Sequence, residues 1–147
     1  HGRKGIFGRA FVRLFHQKVR QIISEKQARE LNPLVLAFVG DGVQTLYVRT
    51  RLALESHAKA GVLHTQAAAV VNAGAQARSA EELLPYFTEE EAGIYRRARN
   101  NHSAHRAKNA DEGDYHKASG LEAVIGFLYL TGRDERLEYI LKACCKR

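Results

Sequence analysis

Two carboxylates sit where carboxylates are costly. Asp41 is the only charged residue between Leu31 and Val48, and Glu122 the only one between Ala118 and Thr131. On a helical wheel Asp41 shares its face with Leu34, Ala37, Phe38, Thr45 and Val48, and the opposite face carries Leu36, Val39, Val43, Leu46 and Tyr47. A helix apolar almost all round belongs to a core or an interface. An acid on it must be paired, protonated or bound to a cation, because isolated burial costs several kcal/mol or more. Gly40 and Gly42 flank Asp41, and each costs a helix interior roughly 1 kcal/mol relative to alanine. Such a cost makes sense where another backbone or a ligand must come close. Small neighbours, Ala118, Ser119 and Gly126, likewise leave space beside Glu122.

A single buried acid is most simply a helix cap or the partner of a buried arginine. Two of them, each alone on an apolar helix beside glycines, point to a shared site for a hard, oxygen-loving cation. Magnesium takes one or two protein carboxylates and completes its shell with water and phosphate oxygen. It can acidify a water and stabilise charge on a phosphate.

A third feature is basic. Arg96 to Lys108 contains five Lys/Arg and no acid, which suits phosphate but could equally be a solvated run balancing the acids Glu81 to Glu91. Arg49 and Arg51 stand in the same open position. His102 and His105 lack a second ligand pair, so zinc is disfavoured. No serine or cysteine nucleophile arrangement and no glycine-rich phosphate loop is present.

The elements that must position these residues are helical. Apolar residues from about Phe7 to Arg29 recur at helical spacing between basic ones, which predicts an amphipathic helix. Asn32-Pro33 opens a second helix, reaching about Glu55. A third is expected over Val62 to Ala80, then a short segment over Glu81 to Tyr86. Thr88 caps a helix carrying Ile94, Tyr95 and the arginines. A polar loop over Asn100 to Gly113 precedes a final pair, about Tyr115 to Leu130 and Arg133 to Cys145, broken at Thr131-Gly132. No stretch alternates with period two, so the fold class is all-α.

At 147 residues the chain has room for one core. Its net charge of +7 is unevenly placed. Residues 1–30 carry eight Lys/Arg against two acids, and the other 117 carry fifteen against fourteen. We therefore divide the chain into a basic N-terminal arm, 1–30, and a nearly neutral body, 31–147. The arm suits a polyanion, or is a solvated helix face. Cys144 and Cys145 are the only cysteines, which speaks against a disulfide scaffold and fits the cytoplasm, or an organelle stroma or matrix. No stretch reads as a membrane span.

Taken in order, these segments resemble a known family. Leu36-Ala37-Phe38-Val39-Gly40-Asp41-Gly42-Val43 resembles the ribonuclease III signature, and Glu122-Ala123-Val124-Ile125-Gly126-Phe127-Leu128 its second acidic motif. Thr88-Glu89-Glu90-Glu91, Arg96-Arg97-Ala98-Arg99-Asn100 and Lys108-Asn109-Ala110-Asp111 lie between them as in the compact subfamily, Mini-ribonuclease III. The resemblance covers about Leu31 to Leu137. It implies an all-α endonuclease domain working as a homodimer on double-stranded RNA, with Asp41 and Glu122 as catalytic residues holding Mg2+ (or Mn2+ in its place). It further implies RNA contacts from Arg49, Arg96, Arg97, Arg99, Asn100, Lys108 and Asn109. Members mature the 23S ribosomal RNA precursor, which makes a ribosomal protein or a pre-ribosomal particle a further partner. Departures keep a second reading open. Acids of the larger enzymes are replaced at Leu34, Ala37 and Ser119, so the alternative is a ribosome-associated RNA-binding dimer that does not cut.

Overall fold

A computed structural model describes residues 20–101 and 112–145. They are helical throughout, with no strand among them, as the patterning predicts. In chain order the helices are α1 (Glu25–Glu30), α2 (Pro33–Glu55), α3 (Ala60–Val70), α4 (Ala73–Leu83), α5 (Glu89–Arg99), α6 (Glu112–Leu130) and α7 (Asp134–Cys144); a 3-10 turn, Leu84–Tyr86, follows α4.

α6 is the axis of the fold. From Ala118 to Leu128 every residue but Glu122 is buried. α2, α4 and α5 pack around it most closely, with α7 and α1 at its C-terminal end. Fully burying a side chain such as Leu121, Ile125 or Phe127 contributes roughly 1.5–3 kcal/mol, so this helix supplies much of the core. α2 begins where Asn32 predicts: its side-chain oxygen accepts from the Leu34 amide at 2.8 Å, and Pro33 occupies the first turn. The inner strip of α2 is Leu36, Ala37, Gly40, Gln44, Val48 and Leu52.

Glycine decides how closely α2 and α6 cross. A Cβ on Gly40 would lie 1.7 Å from the Glu122 carbonyl oxygen, and one on Gly126 would lie 2.0 Å from that of Leu36. The two backbones therefore touch, as a glycine beside Asp41 foreshadows. Gly42 differs: a Cβ there meets nothing within 4 Å. On α5, Tyr95 is wholly buried against Gly120, where a Cβ would fall 2.6 Å from its ring.

Three expected elements differ. The single helix over Val62 to Ala80 is two, because Asn72 closes one and opens the next. Its Nδ2 donates to the Ala68 and Ala69 carbonyls at 3.1 and 3.0 Å while its Oδ1 accepts from the Ala75 amide at 2.9 Å. The N-terminal helix does not run through residues 20–24. Ser24 and Gln27 form a capping box that starts α1 afresh, and the preceding strap is attached to the body: the Ile23 amide donates to the Leu130 carbonyl at 2.8 Å, and Arg20 pairs with Asp134 at 2.7 Å. Residues 20–30 thus pack on the body, with Ala28 fully buried, while 1–19 lie outside the described residues. α6 also starts earlier than Tyr115, at Glu112. The break before α7 falls at Gly132, whose φ of 71° suits a residue without a side chain.

Candidate active site

The crossing of α2 and α6 at Gly40 and Gly126 puts Asp41 and Glu122 on the walls of one cavity of about 400 Å³. Its other lining residues are Leu34, Ala37, Phe38, Ala73, Gln76, Tyr115, Ala118 and Ser119. Among the described residues no lysine or arginine lines it. The two acids differ in setting. Asp41 is exposed and Glu122 half-buried. Burial pushes the Glu122 carboxyl up to about 8, the facing charge of Asp41 adds to the rise, and a hydrogen bond from Gln76 works against it.

The exposure of Asp41 corrects one expectation from the sequence. α2 is apolar all round, but in this chain it is buried on one side only. Val35, Phe38 and Leu46 are 46%, 80% and 68% exposed, and they form a stripe with Gly42 along the outer face, at the rim of the cavity. Asp41 lies between that stripe and the core.

The chemistry of the cleft is that of oxygen donors under strain from each other. Two carboxylates share one cavity, and the more buried of them is raised by burial and by the facing acid; such oxygen donors suit a hard divalent cation. Among the described residues no cluster of three or more His, Cys, Asp or Glu could hold a metal. The donor set is therefore sparse, as Ala37 and Ser119 imply: both line the cavity where further acids would face inward.

The basic residues stand apart from the acids. Arg96, Arg97 and Asn100 are exposed at the C-terminal end of α5, and Arg99 covers the Tyr95 ring at 5.6 Å. No carboxylate among the described residues pairs with the three arginines. Asn101 donates to Asn32 at 3.4 Å, which sets this end of α5 beside the start of α2. Arg49, two turns beyond Asp41, lines a separate apolar cavity with Leu52, Leu63 and His64. Lys108 and Asn109 lie outside the described residues. Gln44 and Gln76, buried amides beside the cleft, drew no attention in the sequence. A glutamine on the inner strip of an otherwise apolar helix was the available signal.

A ribonuclease III domain matches residues 34–133, which spans the walls of the cleft. The chain belongs to the ribonuclease III family and is an endoribonuclease of that kind. Within the family it is most like the compact members. The Mini-ribonuclease 3 of Staphylococcus aureus is 48% identical over 113 residues, covering 76% of this chain and 84% of its own. That of Streptococcus pneumoniae is 41% identical, covering 80% and 93%. Protein FN1578 of Fusobacterium nucleatum, known from its crystal structure, superposes with a TM-score of 0.70 at 30% identity, over 78% of this chain and 91% of its own. This chain is thus a member of the Mini-ribonuclease 3 group.

Proposed function

We propose that this chain cleaves double-stranded RNA with magnesium held by Asp41 and Glu122, as a homodimer. The observation that carries the proposal is the pair of carboxylates facing one cavity at a crossing so close that only glycine fits. A divalent cation bound there would supply charge to the scissile phosphate and acidify a water. Glu122, half-buried and raised to about 8, would hold the cation in its ionised form. Asp41, exposed on the opposite wall, supplies the second oxygen donor from the solvent side. With only two protein carboxylates, water and the RNA phosphate would be needed to complete the shell; Mn2+ would fit the same oxygen donors.

Three further observations support parts of this reading. The stripe Val35, Phe38, Gly42 and Leu46 is apolar, exposed and continuous with the cavity rim, as a face for a second copy of the chain would be. Gly42, where an added Cβ would meet nothing within 4 Å among the described residues, would let that second backbone approach. Arg96, Arg97 and Asn100, with the half-buried Arg99, form a basic end suited to phosphates, with Arg49, Lys108 and Asn109 assigned the same role and the basic arm 1–30 extending the polyanion contact. The 23S ribosomal RNA precursor is the proposed substrate, met in the cytoplasm, with a ribosomal protein or pre-ribosomal particle as partner. No helix of the described residues is long and apolar enough to cross a membrane.

One observation favours the non-cutting alternative: Ala37 and Ser119 leave the cavity wall short of acids. A plain RNA duplex incubated with and without magnesium separates the two. Magnesium-dependent cleavage supports the enzyme, and tight, salt-sensitive binding without cleavage supports the binding dimer.

A further inference from the structure

A line of polar side chains runs from the C-terminus of the chain to Glu122 through an otherwise apolar core. Gln44, on the inner strip of α2, is fully buried, and Gln76 on α4 is 3% exposed. The Gln76 Nε2 donates to the Gln44 Oε1 at 2.7 Å. The Gln44 Nε2 in turn faces the Sγ atoms of Cys144 and Cys145 at 3.6 and 3.9 Å. At its other end Gln76 lines the cavity of Asp41 and Glu122, where its amide lowers the proton affinity that burial gives Glu122. Four helices contribute: α2, α4, α6 and α7.

Two buried amides are an expensive way to fill a core, since each must find partners or be penalised. Leucine would fill the same volume without that demand. What the amides add is direction. Gln44 presents its oxygen to Gln76 and its N–H to the thiols, whose sulfurs are acceptors, if weak ones. Turned the other way, Gln44 would set its N–H against that of Gln76. Because one N–H of Gln76 is committed to Gln44, the rotation of its amide is fixed, and with it the polar edge that Gln76 presents to the cavity shared with Glu122. Glu122 is the only residue from Ala118 to Leu128 that is not sealed in the core.

We propose that Gln76 is a positioning residue for Glu122, fixing its carboxylate toward Asp41, and that Gln44, seated on the Cys144 and Cys145 thiols, acts only through Gln76. The inference rests on the reading that the two carboxylates bind a divalent cation. Removing the outer hydrogen-bond partner of a metal ligand typically lowers metal affinity or activity about 10- to 100-fold. A substitution that merely loosened packing would lower the melting temperature instead and leave the affinity of the folded protein alone.

The test is calorimetric titration of the full chain with magnesium, without RNA, beside thermal melting, for Gln76→Met, Gln44→Met, the double variant and Asp41→Asn. We expect the unsubstituted protein to bind magnesium, Asp41→Asn to lose it, and each methionine variant to bind about tenfold more weakly while melting within a few degrees of the parent. The double variant should bind no more weakly than Gln76→Met alone. The magnesium concentration for half-maximal cleavage should rise by the same factor. Magnesium affinity unchanged in folded Gln76→Met overturns the inference, and so do losses that add in the double variant. If Gln76→Met does not fold, Gln44→Met, which touches neither carboxylate, decides by the same two outcomes. No binding by the unsubstituted protein overturns the cation reading and this inference together; binding abolished by Asp41→Asn but indifferent to both glutamines overturns this inference alone.

Discussion

The molecule holds two internal carboxylates with opposite fates. Glu91, at the start of α5, is 1% exposed and fully partnered. It closes a capping box with Thr88 and accepts from the Arg136 Nε and Nη2 at 2.8 and 2.9 Å. Glu122, on α6, is less buried, yet no arginine or lysine among the described residues pairs with it. Burial raises its proton affinity, and the charge of another carboxylate, Asp41, adds to the rise. A buried acid that has its arginine is a structural part. One that faces a second acid across a cavity is short of positive charge, which is the basis of the proposed cation site.

Substitutions sharpen this contrast, beginning with the largest effect. Glu91→Ala leaves Arg136 buried in part and the N-terminus of α5 uncapped, so it should destabilise by about 4 kcal/mol, measured by urea unfolding. The cleavage rate per folded molecule should stay near that of the parent. A loss of only a few tenths of a kcal/mol would put Glu91 in the same class as a surface acid.

Gly40→Ala tests the crossing itself. Its Cβ would meet the Glu122 backbone, not a flexible side chain. Parting α2 from α6 should cost about 3 kcal/mol and disturb the cavity as well, so stability and cleavage should fall together. An alanine variant as active and stable as the parent would mean that the helices need not touch.

Glu122→Gln should act in the opposite direction from Glu91→Ala. Because the folded-state value of Glu122 lies above the ordinary carboxylate value, folding favours its protonated form. That contribution is fully present below about pH 4.5 and is lost as pH rises through about 8. In the absence of divalent cations the parent should therefore lose about 2 kcal/mol, after allowance for solvent screening of a half-buried group, between pH 5 and 9. Glu122→Gln should flatten that slope, and magnesium should restore the parent at high pH. A slope unchanged in the variant would assign the pH dependence to other groups.

The smallest effect on the chain itself is expected at Gly42. Alanine there meets no atom within 4 Å and should add up to about 1 kcal/mol of helix stability. If a second copy packs on the stripe Val35, Phe38 and Leu46, the same change should weaken the dimer in sedimentation. A dimer indifferent to Gly42→Ala would move the interface elsewhere.

Much of this was legible in the sequence, for identifiable reasons. Strong caps carry their own signal, so Asn32-Pro33 and Thr88 gave their helix starts to the residue. A lone charge in an apolar run is equally plain, which is why Asp41 and Glu122 could be paired before any geometry was known. Asn72 was missed because its two-sided capping uses the same residue type that a helix interior tolerates. Ser24 was missed because an amphipathic pattern runs straight through it. Glu91 showed no sign of burial, since it sits among Glu89 and Glu90 and only the fold brings Arg136 to it. The half-exposed state of α2 was hidden for a different reason. Apolar pattern reports that a face avoids water; it does not say whether the cover comes from the same chain.

The most direct test of the central claim is cleavage of an RNA duplex by the parent, Asp41→Asn and Glu122→Gln, with magnesium and with a chelator. The account predicts cleavage by the parent in magnesium only, and a loss of about a thousandfold or more in both variants, comparable to removing a principal source of charge stabilisation. Both variants should still fold and bind the duplex. Cleavage by Asp41→Asn or Glu122→Gln at the rate of the parent, or cleavage that survives the chelator, would contradict it.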